Sequence, residues 1–294
     1  MAAVDELVTH RQWVVGDLRM HVAEAGTGPT VVLLHGFPDY WYSWRHQIPA
    51  LVEAGYRVLA PDLRGYADTE APRGVRPYRL DRLVADVAGL ITTAGEEQVT
   101  LVGHDWGGEI AWTTATLHPE LVSRLAVCNM PHPRRFREGL RTRRQLARSW
   151  YVALFQLPVV PELLFGLGRG WGLRRVLREG AVRPDAFTDA DLGRYVEALV
   201  VRGSLTGPLN YYRAAVRRAL RGDEVLGASD PGVACPVLVL WGQQDLALTA
   251  GLAEPPPALV PEARVVRYPD AGHWVHLDAP DAVTEQLLAF AADG

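Results

Sequence analysis

Residues Val99–Glu109 read VTLVGHDWGGE, and this stretch decides the fold. The apolar, β-branched run Val99–Val102 is a strand signal, and the helix-forming stretch Gly107–Leu117 follows it closely. Between them lies Gly103-His104-Asp105-Trp106-Gly107. This is the spacing of the nucleophile elbow, G-x-S-x-G, with an aspartate in the serine position. Small residues on either side allow close chain approach in a sharp strand-to-helix turn. The central side chain then stands at the carboxyl edge of the sheet, beside a helix N-terminus whose dipole favours an anion. A lone aspartate before a helix reads as an N-cap. The glycines two residues before and two after Asp105, behind an apolar strand, favour a nucleophile instead.

Aspartate changes the chemistry open to such an elbow. A carboxylate is ionised at neutral pH without help, because its ordinary pKa is about 3.9. Attack on an acyl carbon would form an anhydride, a poor route to ester hydrolysis. Attack on an sp³ carbon bearing a strained or good leaving group forms a stable alkyl ester. Water must then hydrolyse that ester, which calls for a base and an oxyanion hole.

Candidates for both are present. Among nine histidines, His273 lies in Asp270-Ala271-Gly272-His273-Trp274, just after the last expected strand, where a triad base of such a fold belongs. His276 follows three residues on, but no carboxylate or cysteine spacing supports a metal pair, and no metal is expected. Asp245 ends VLVLWGQQD and is the candidate to orient His273, since the stretch after Leu125–Cys128 offers Asn129 but no carboxylate. A turn aspartate after a strand is the plainer alternative for Asp245. The oxyanion hole is expected from the backbone N–H of Trp106 and one in the loop His35-Gly36-Phe37-Pro38, at Phe37. His35 reads as a loop-shaping residue and not as a second base.

Outward from the elbow, strand signals occur at 30–34, 57–60, 99–102, 125–128, 237–241 and 263–268, alternating with helical patterns such as 80–91. This alternation predicts an α/β fold with a mostly parallel sheet covered on both faces. From residue 133 to 226 strand signals vanish, and arginine-rich helical segments are expected at 134–150, 172–179, 189–201 and 209–220. The economical reading is one core, 1–132 and 227–294, with 133–226 inserted as a helical lid over the sheet's carboxyl edge, where sites of such sheets lie.

Composition removes several function classes. The chain has 294 residues, 48% hydrophobic and 22% charged, enough for a sizeable core. It contains no lysine, so all 30 basic residues are arginine, which excludes a P-loop and Schiff-base chemistry. No G-x-G-x-x-G follows a strand, so no dinucleotide is expected, and no cofactor of any kind. Residues 134–221 hold 18 arginines against 7 acids. With no recognition motif beside them, they read as a solvated helical face and not as a nucleic-acid footprint. The net charge of −4 points to no polyanionic partner. Cys128 and Cys235 read as core residues in a reducing compartment. No secretory signal is visible, and Gln156, Pro158, Pro161 and Glu162 interrupt the longest apolar stretch, so no membrane span is expected. The expectation is a cytoplasmic enzyme, monomeric or homodimeric.

At this point a resemblance can be named. HGFP at 35–38, PDLRGY at 61–66, GHDWGG at 103–108, NMPHP at 129–133 and GHW at 272–274 together resemble the α/β-hydrolase-fold epoxide hydrolases, from about residue 10 to the end. In that family one lid tyrosine sits four residues before a Phe-Gln pair, and a second sits just before an Arg after Leu-Asn-aromatic. The resemblance carries these positions onto Tyr151 and Tyr212, with Tyr211 a rival at the second. Two phenols would polarise the epoxide oxygen and protonate the departing alkoxide. The implied reaction is epoxide plus water to a vicinal diol. Asp105, His273, Asp245, Tyr151 and Tyr212 would carry it, and an apolar pocket would be walled by His35, Pro38, Trp106, Phe155, Tyr211 and Trp274.

Rivals differ at identifiable residues. A haloalkane dehalogenase shares the aspartate and Trp106, but usually carries Asn where Phe37 stands and lacks the tyrosine pair. A haloacetate (haloacid) dehalogenase would place Arg after the nucleophile, where this chain has Trp106. A serine esterase is excluded by Asp105 itself. A non-catalytic receptor on this fold would be expected to lack one of Asp105, His273 or Asp245, and none is missing.

Overall fold

The computed structural model describes residues 4–203, 205–223, 225–226 and 230–292. Its strands are β1 (Thr9–Val15), β2 (Leu18–Ala25), β3 (Thr30–Leu34), β4 (Arg57–Pro61), β5 (Val99–His104), β6 (Val122–Cys128), β7 (Val237–Gly242) and β8 (Ala263–Tyr268). They form one eight-stranded sheet in the order β1-β2-β4-β3-β5-β6-β7-β8. β2 runs antiparallel to β1 and β4, and every pair from β4 to β8 is parallel. Each expected strand is present, with ends moved by three residues at most. The β1–β2 hairpin was not anticipated. β1 is an exposed edge carrying His10, Arg11 and Gln12, so it has no apolar run to betray it.

The central strands are apolar because both faces are covered. β3 and β7 are buried along their whole length, and the last four residues of β5 and of β6 are buried as well. Helix Leu80–Thr93 turns Leu83, Val84, Val87, Leu90 and Ile91 inward, at helical spacing. Helix Trp106–Leu117 is buried from Gly107 to Thr116, so it is apolar nearly all round.

The strand order reverses at β3. The chain leaves β3 for β4 on one side and returns to β5 on the other, so a crevice opens where the carboxyl ends of β3 and β5 meet. That crevice is bordered by the loop at 35–38 and by the elbow.

Between β6 and β7 the described residues form helices and no strand: Pro133–Gly139, Arg143–Arg148, Trp150–Leu154, Val160–Gly180, Asp189–Val196, the π-helical turn Glu197–Arg202 and Thr206–Arg221. The helix expected over 134–150 is broken because Thr142 starts a new one, its side chain accepting from the Gln145 N–H at 3.3 Å. Val160–Gly180 is two helical pieces separated at 167–170, where Gly168, Arg169 and Gly170 take φ of 61°, 58° and 76°. Asp189–Val196 begins with a capping box between Thr188 and Asp191. The expected boundary at Gly227 lies outside the described residues, as do residues 1–3 and 293–294 of the expected core. Among the described residues no helix is long and apolar enough to cross a membrane. Cys128 is buried at the end of β6 and Cys235 is half-buried. Several arginines between β6 and β7 pair with acids, as Arg175 does with Glu179, Arg194 with Asp5 and Arg202 with Asp68.

Candidate active site

Asp105 takes φ 49° and ψ −122°, a left-handed conformation that disfavours a side chain. The close packing around it explains the glycines. A Cβ on Gly103 would lie 2.4 Å from the Gly107 carbonyl oxygen, and one on Gly107 would lie 2.3 Å from that of Leu34. Asp105 occupies the N-cap position of helix Trp106–Leu117 but makes no capping bond. Its Oδ1 instead accepts the Phe37 N–H across the crevice at 2.8 Å.

The other carboxylate oxygen faces a histidine. His273 Nε2 is 3.5 Å from Asp105 Oδ2, and His273 Nδ1 is 2.8 Å from Asp245 Oδ2. Asp245 Oδ1 accepts the N–H groups of Ala247 and Leu248 at 2.7 and 2.9 Å. Three segments remote in sequence thus form one chain of charge. Burial opposes every charge in it, and the partners outweigh burial. The charge of Asp245 and the bonds to both carboxylates hold His273 well above the ordinary histidine range. Both carboxyls are held below theirs, mainly by His273. With Nδ1–H donating to Asp245, the imidazolium turns its other N–H, at Nε2, toward Asp105.

Residues not anticipated as site residues hold this chain. Asn129 Nδ2 donates to Asp245 Oδ2 at 2.8 Å, and its Oδ1 accepts the Gly242 N–H at 2.8 Å. Asn129 has φ 41°, a conformation asparagine tolerates better than most residues. Its position directly after β6 was noticed in the sequence only for lacking a carboxylate. His104 is pushed well below the ordinary range by burial and by the nearby His276 and His273. The neutral ring can donate Nε2–H to the His273 carbonyl, 3.0 Å away.

Tyr151 and Tyr212 stand across the crevice, with ring centroids 5.9 Å apart. Tyr212 also packs edge-on to Trp106 at 5.2 Å. Burial, then the charge of Asp105, pushes both phenols upward, so both keep their protons. Arg213 explains why an arginine follows Tyr212. Its guanidinium donates to the Phe155 and Leu157 carbonyls, each at 2.9 Å, and pairs with Glu162 at 2.8 Å. The helix bearing Tyr212 is thereby stitched to the segment bearing Tyr151. Gln145 and Arg148 reach the other way. Gln145 Nε2 donates to the Ala247 carbonyl at 2.7 Å, and Arg148 to the Leu248 carbonyl at 3.0 Å, beside Asp245.

A cavity of about 500 Å³ opens between these groups, and Asp105, Trp106, Tyr151 and Tyr212 all line it. Five residues expected at its wall do not line it. His35 is fully buried and spent on its own loop, Nδ1 against the Gly36 carbonyl and Nε2 accepting from the Leu63 N–H, both at 2.9 Å. Pro38 is buried behind the cis Phe37–Pro38 bond. Phe155 backs the tyrosines, 5.4 Å from Tyr151 and 4.9 Å from Tyr212. The Tyr211 hydroxyl donates to the Arg64 carbonyl at 2.9 Å, on the helix face away from the cavity. The Trp274 indole donates to Asp39 at 2.7 Å, which also accepts from the Tyr195 hydroxyl at 2.6 Å. In their place Met130, Phe136, Leu140, Val152 and Val216 form much of the wall. Among the described residues one group could hold a metal ion, His21, Asp62 and Asp68. His21 and Asp68 border a separate surface recess and share none of the residues around Asp105.

Known proteins match this chain over most of its length. The family model described as alpha/beta hydrolase fold matches residues 29–280. The AB hydrolase superfamily protein YfhM of Bacillus subtilis is 38% identical over 283 residues, covering 93% of this chain and 94% of that protein. Epoxide hydrolase 4 of Mus musculus is 37% identical over 281 residues, covering 93% of this chain and 76% of that protein. The crystal structure of the Bacillus megaterium epoxide hydrolase in complex with an inhibitor superposes with a TM-score of 0.88 at 32% identity, covering 95% of this chain and 99% of that one. With an aspartate at its elbow and these similarities along its length, the chain belongs to the epoxide hydrolase family of the α/β-hydrolase fold.

Proposed function

We propose that this protein hydrolyses an epoxide to a vicinal diol through a covalent ester on Asp105. The observation that carries this reading is that Asp105 and the phenols of Tyr151 and Tyr212 line one cavity. A nucleophile needing no activation faces two hydroxyls that stay protonated. This is the pairing that opening a strained ether requires.

In the first step Asp105 Oδ2 attacks a ring carbon, because Oδ1 is engaged by the Phe37 N–H. The carbon–oxygen bond of the ring breaks, and Tyr151 or Tyr212 delivers its proton to the departing oxygen. The tyrosinate left by the first step is reprotonated at the expense of the His273 imidazolium. In the second step the neutral His273, oriented by Asp245, takes a proton from water, and the hydroxide adds to the Asp105 carboxyl carbon. The negative charge then gathers on Oδ1, where the Phe37 N–H, and by expectation that of Trp106, stabilise it. Collapse breaks the ester, the new carboxyl gives its proton to the departing alkoxide, the diol leaves, and Asp105 is again a carboxylate beside the imidazolium of His273. The substrate is a small epoxide and the co-substrate is water.

We also read residues 133–226 as a cap and the rest as the core. The cap contributes the electrophilic tyrosines, and the core contributes nucleophile, base and orienting acid. Offering styrene oxide and a terminal haloalkane in parallel tests the assignment. Diol from the first supports it; halide from the second without diol from the first overturns it.

A further inference from the structure

We infer that the outward face of residues 160–167, with Trp171 close by, docks on an anionic lipid surface. Helix Val160–Gly180 opens with VPELLFGL, which is apolar nearly all round. Pro161 and Phe165 are buried, and Phe165 packs against the rings of Phe37 and Phe155. On the other side Val160, Leu163, Leu164 and Leu167 recur at helical spacing, each between 41 and 62% exposed. A helix apolar on every side is normally covered on every side. Exposed aliphatic side chains scattered singly are ordinary, but four on one helical face mark an interaction surface. The turn at 167–170 enlarges it. A Cβ on Gly172 would lie 2.1 Å from the Leu164 carbonyl oxygen, so the second helical piece comes back against the first. This brings Trp171, 59% exposed, close to Leu164.

The charge in this part of the cap selects the partner. Residues 141–179 hold eight arginines and two acids. Both acids are already paired, Glu162 with Arg213 and Glu179 with Arg175. Arg141, Arg143, Arg144 and Arg169 are exposed and form no salt bridge among the described residues. The Arg175 guanidinium lies over the Trp171 ring at 5.4 Å, so a cation and an indole stand together, as they do at the headgroup level of a bilayer. A two-fold pairing of this face with a second copy would bring the same unpaired arginines together, and like charges repel. A nucleic acid would neutralise the arginines and leave the leucines uncovered. An anionic bilayer does both, with headgroups meeting the arginines and acyl chains taking the aliphatic side chains.

Co-sedimentation of the full chain with lipid vesicles tests the docking face without any substrate, and so independently of the proposed hydrolysis. Vesicles of phosphatidylcholine alone are compared with vesicles that also contain phosphatidylglycerol. At low salt the anionic vesicles should bind the protein at least about tenfold more strongly, and high salt should erase most of the difference. Leu163→Gln combined with Leu167→Gln should weaken binding to anionic vesicles by at least about tenfold, with thermal unfolding unchanged because both side chains are exposed. Arg143→Gln, Arg144→Gln and Arg169→Gln together should bring binding to within about threefold of that on neutral vesicles. Three results overturn the inference: no binding to anionic vesicles, equal binding to both kinds, or binding that survives the leucine pair. A dimer in sedimentation velocity that the leucine pair abolishes would assign the face to a second copy and overturn it too.

Discussion

His273 Nε2 faces Asp105 Oδ2 at 3.5 Å while the opposite nitrogen of the same ring is bonded to Asp245. One imidazole therefore sits between two buried carboxylates, and all three are held charged against burial. This arrangement gives the proposed reaction its order. In the resting site His273 is an imidazolium and Asp105 a free nucleophile. Esterification removes the charge of Asp105, and with it part of what holds the proton on His273. The ring thus becomes a better base once an ester exists to be hydrolysed.

Separating the two steps follows from that arrangement. His273→Gln leaves Asp105 able to attack and removes the base for the second step. Turnover is expected to fall by roughly 10²- to 10⁴-fold, the usual contribution of a general base. Intact-protein mass spectrometry should find one substrate mass added to each chain, at Asp105 on peptide mapping. A slow variant that never accumulates the adduct would count against the covalent route.

Stability should vary with pH in a defined sense. The folded pKa of His273 lies above its unfolded value of about 6.5, so its contribution is complete below that pH and is lost as pH rises through the folded value. Asp105 and Asp245 are held below their ordinary values, so their contribution is present above about pH 4 and is lost as pH falls through the folded values. The gap in urea-unfolding free energy between the unmodified protein and His273→Gln should be widest near about pH 6. It should narrow toward about pH 9, by at most about 1.4 kcal/mol per pH unit. A gap that stays constant over that range would show that the imidazolium is not stabilised by its carboxylates.

How much of this was legible beforehand depends on whether a feature is local. The elbow is contiguous, and glycines at fixed offsets announce it, so the strand, turn and helix around Asp105 could be read directly. The central strands are buried on both faces and read as apolar runs. β1 could not be read that way, since an exposed edge strand takes polar residues. The cavity wall was harder still. Tyr211 and Tyr212 are adjacent, and which of them faces the cavity depends on how helix Thr206–Arg221 packs. Asn129, Arg148 and Arg213 act through bonds to segments 58 to 116 residues away, which no local pattern encodes.

The tyrosine pair can be tested without disturbing its packing. Tyr151→Phe and Tyr212→Phe keep the rings, and with them the edge-on contacts to Phe155. Each single variant should lower kcat by roughly 10- to 100-fold, because the remaining phenol still donates, and the double variant by up to about 10⁴-fold. Thermal unfolding should change little. Since burial and the charge of Asp105 push both phenols upward, neither should produce a loss of activity below about pH 10. A double variant with undiminished turnover would remove both residues from the chemistry.

Asn129 offers the sharpest separation of positioning from general support. Its side chain bonds Asp245 Oδ2 and the backbone of Gly242, joining the ends of β6 and β7 beneath the base. Asn129→Gly tolerates the observed φ of 41° while deleting those bonds, whereas alanine would add backbone strain. Buried partners left unmatched should lower stability by about 1–3 kcal/mol. Asp245 serves the base, and the base serves only ester hydrolysis. In single-turnover experiments hydrolysis should therefore slow by at least about tenfold, while ester formation stays within about threefold. Asn129→Asp should be worse than glycine, because it sets a second carboxylate against Asp245. Equal slowing of both steps in Asn129→Gly would mean that the residue supports the fold and does not aim the triad.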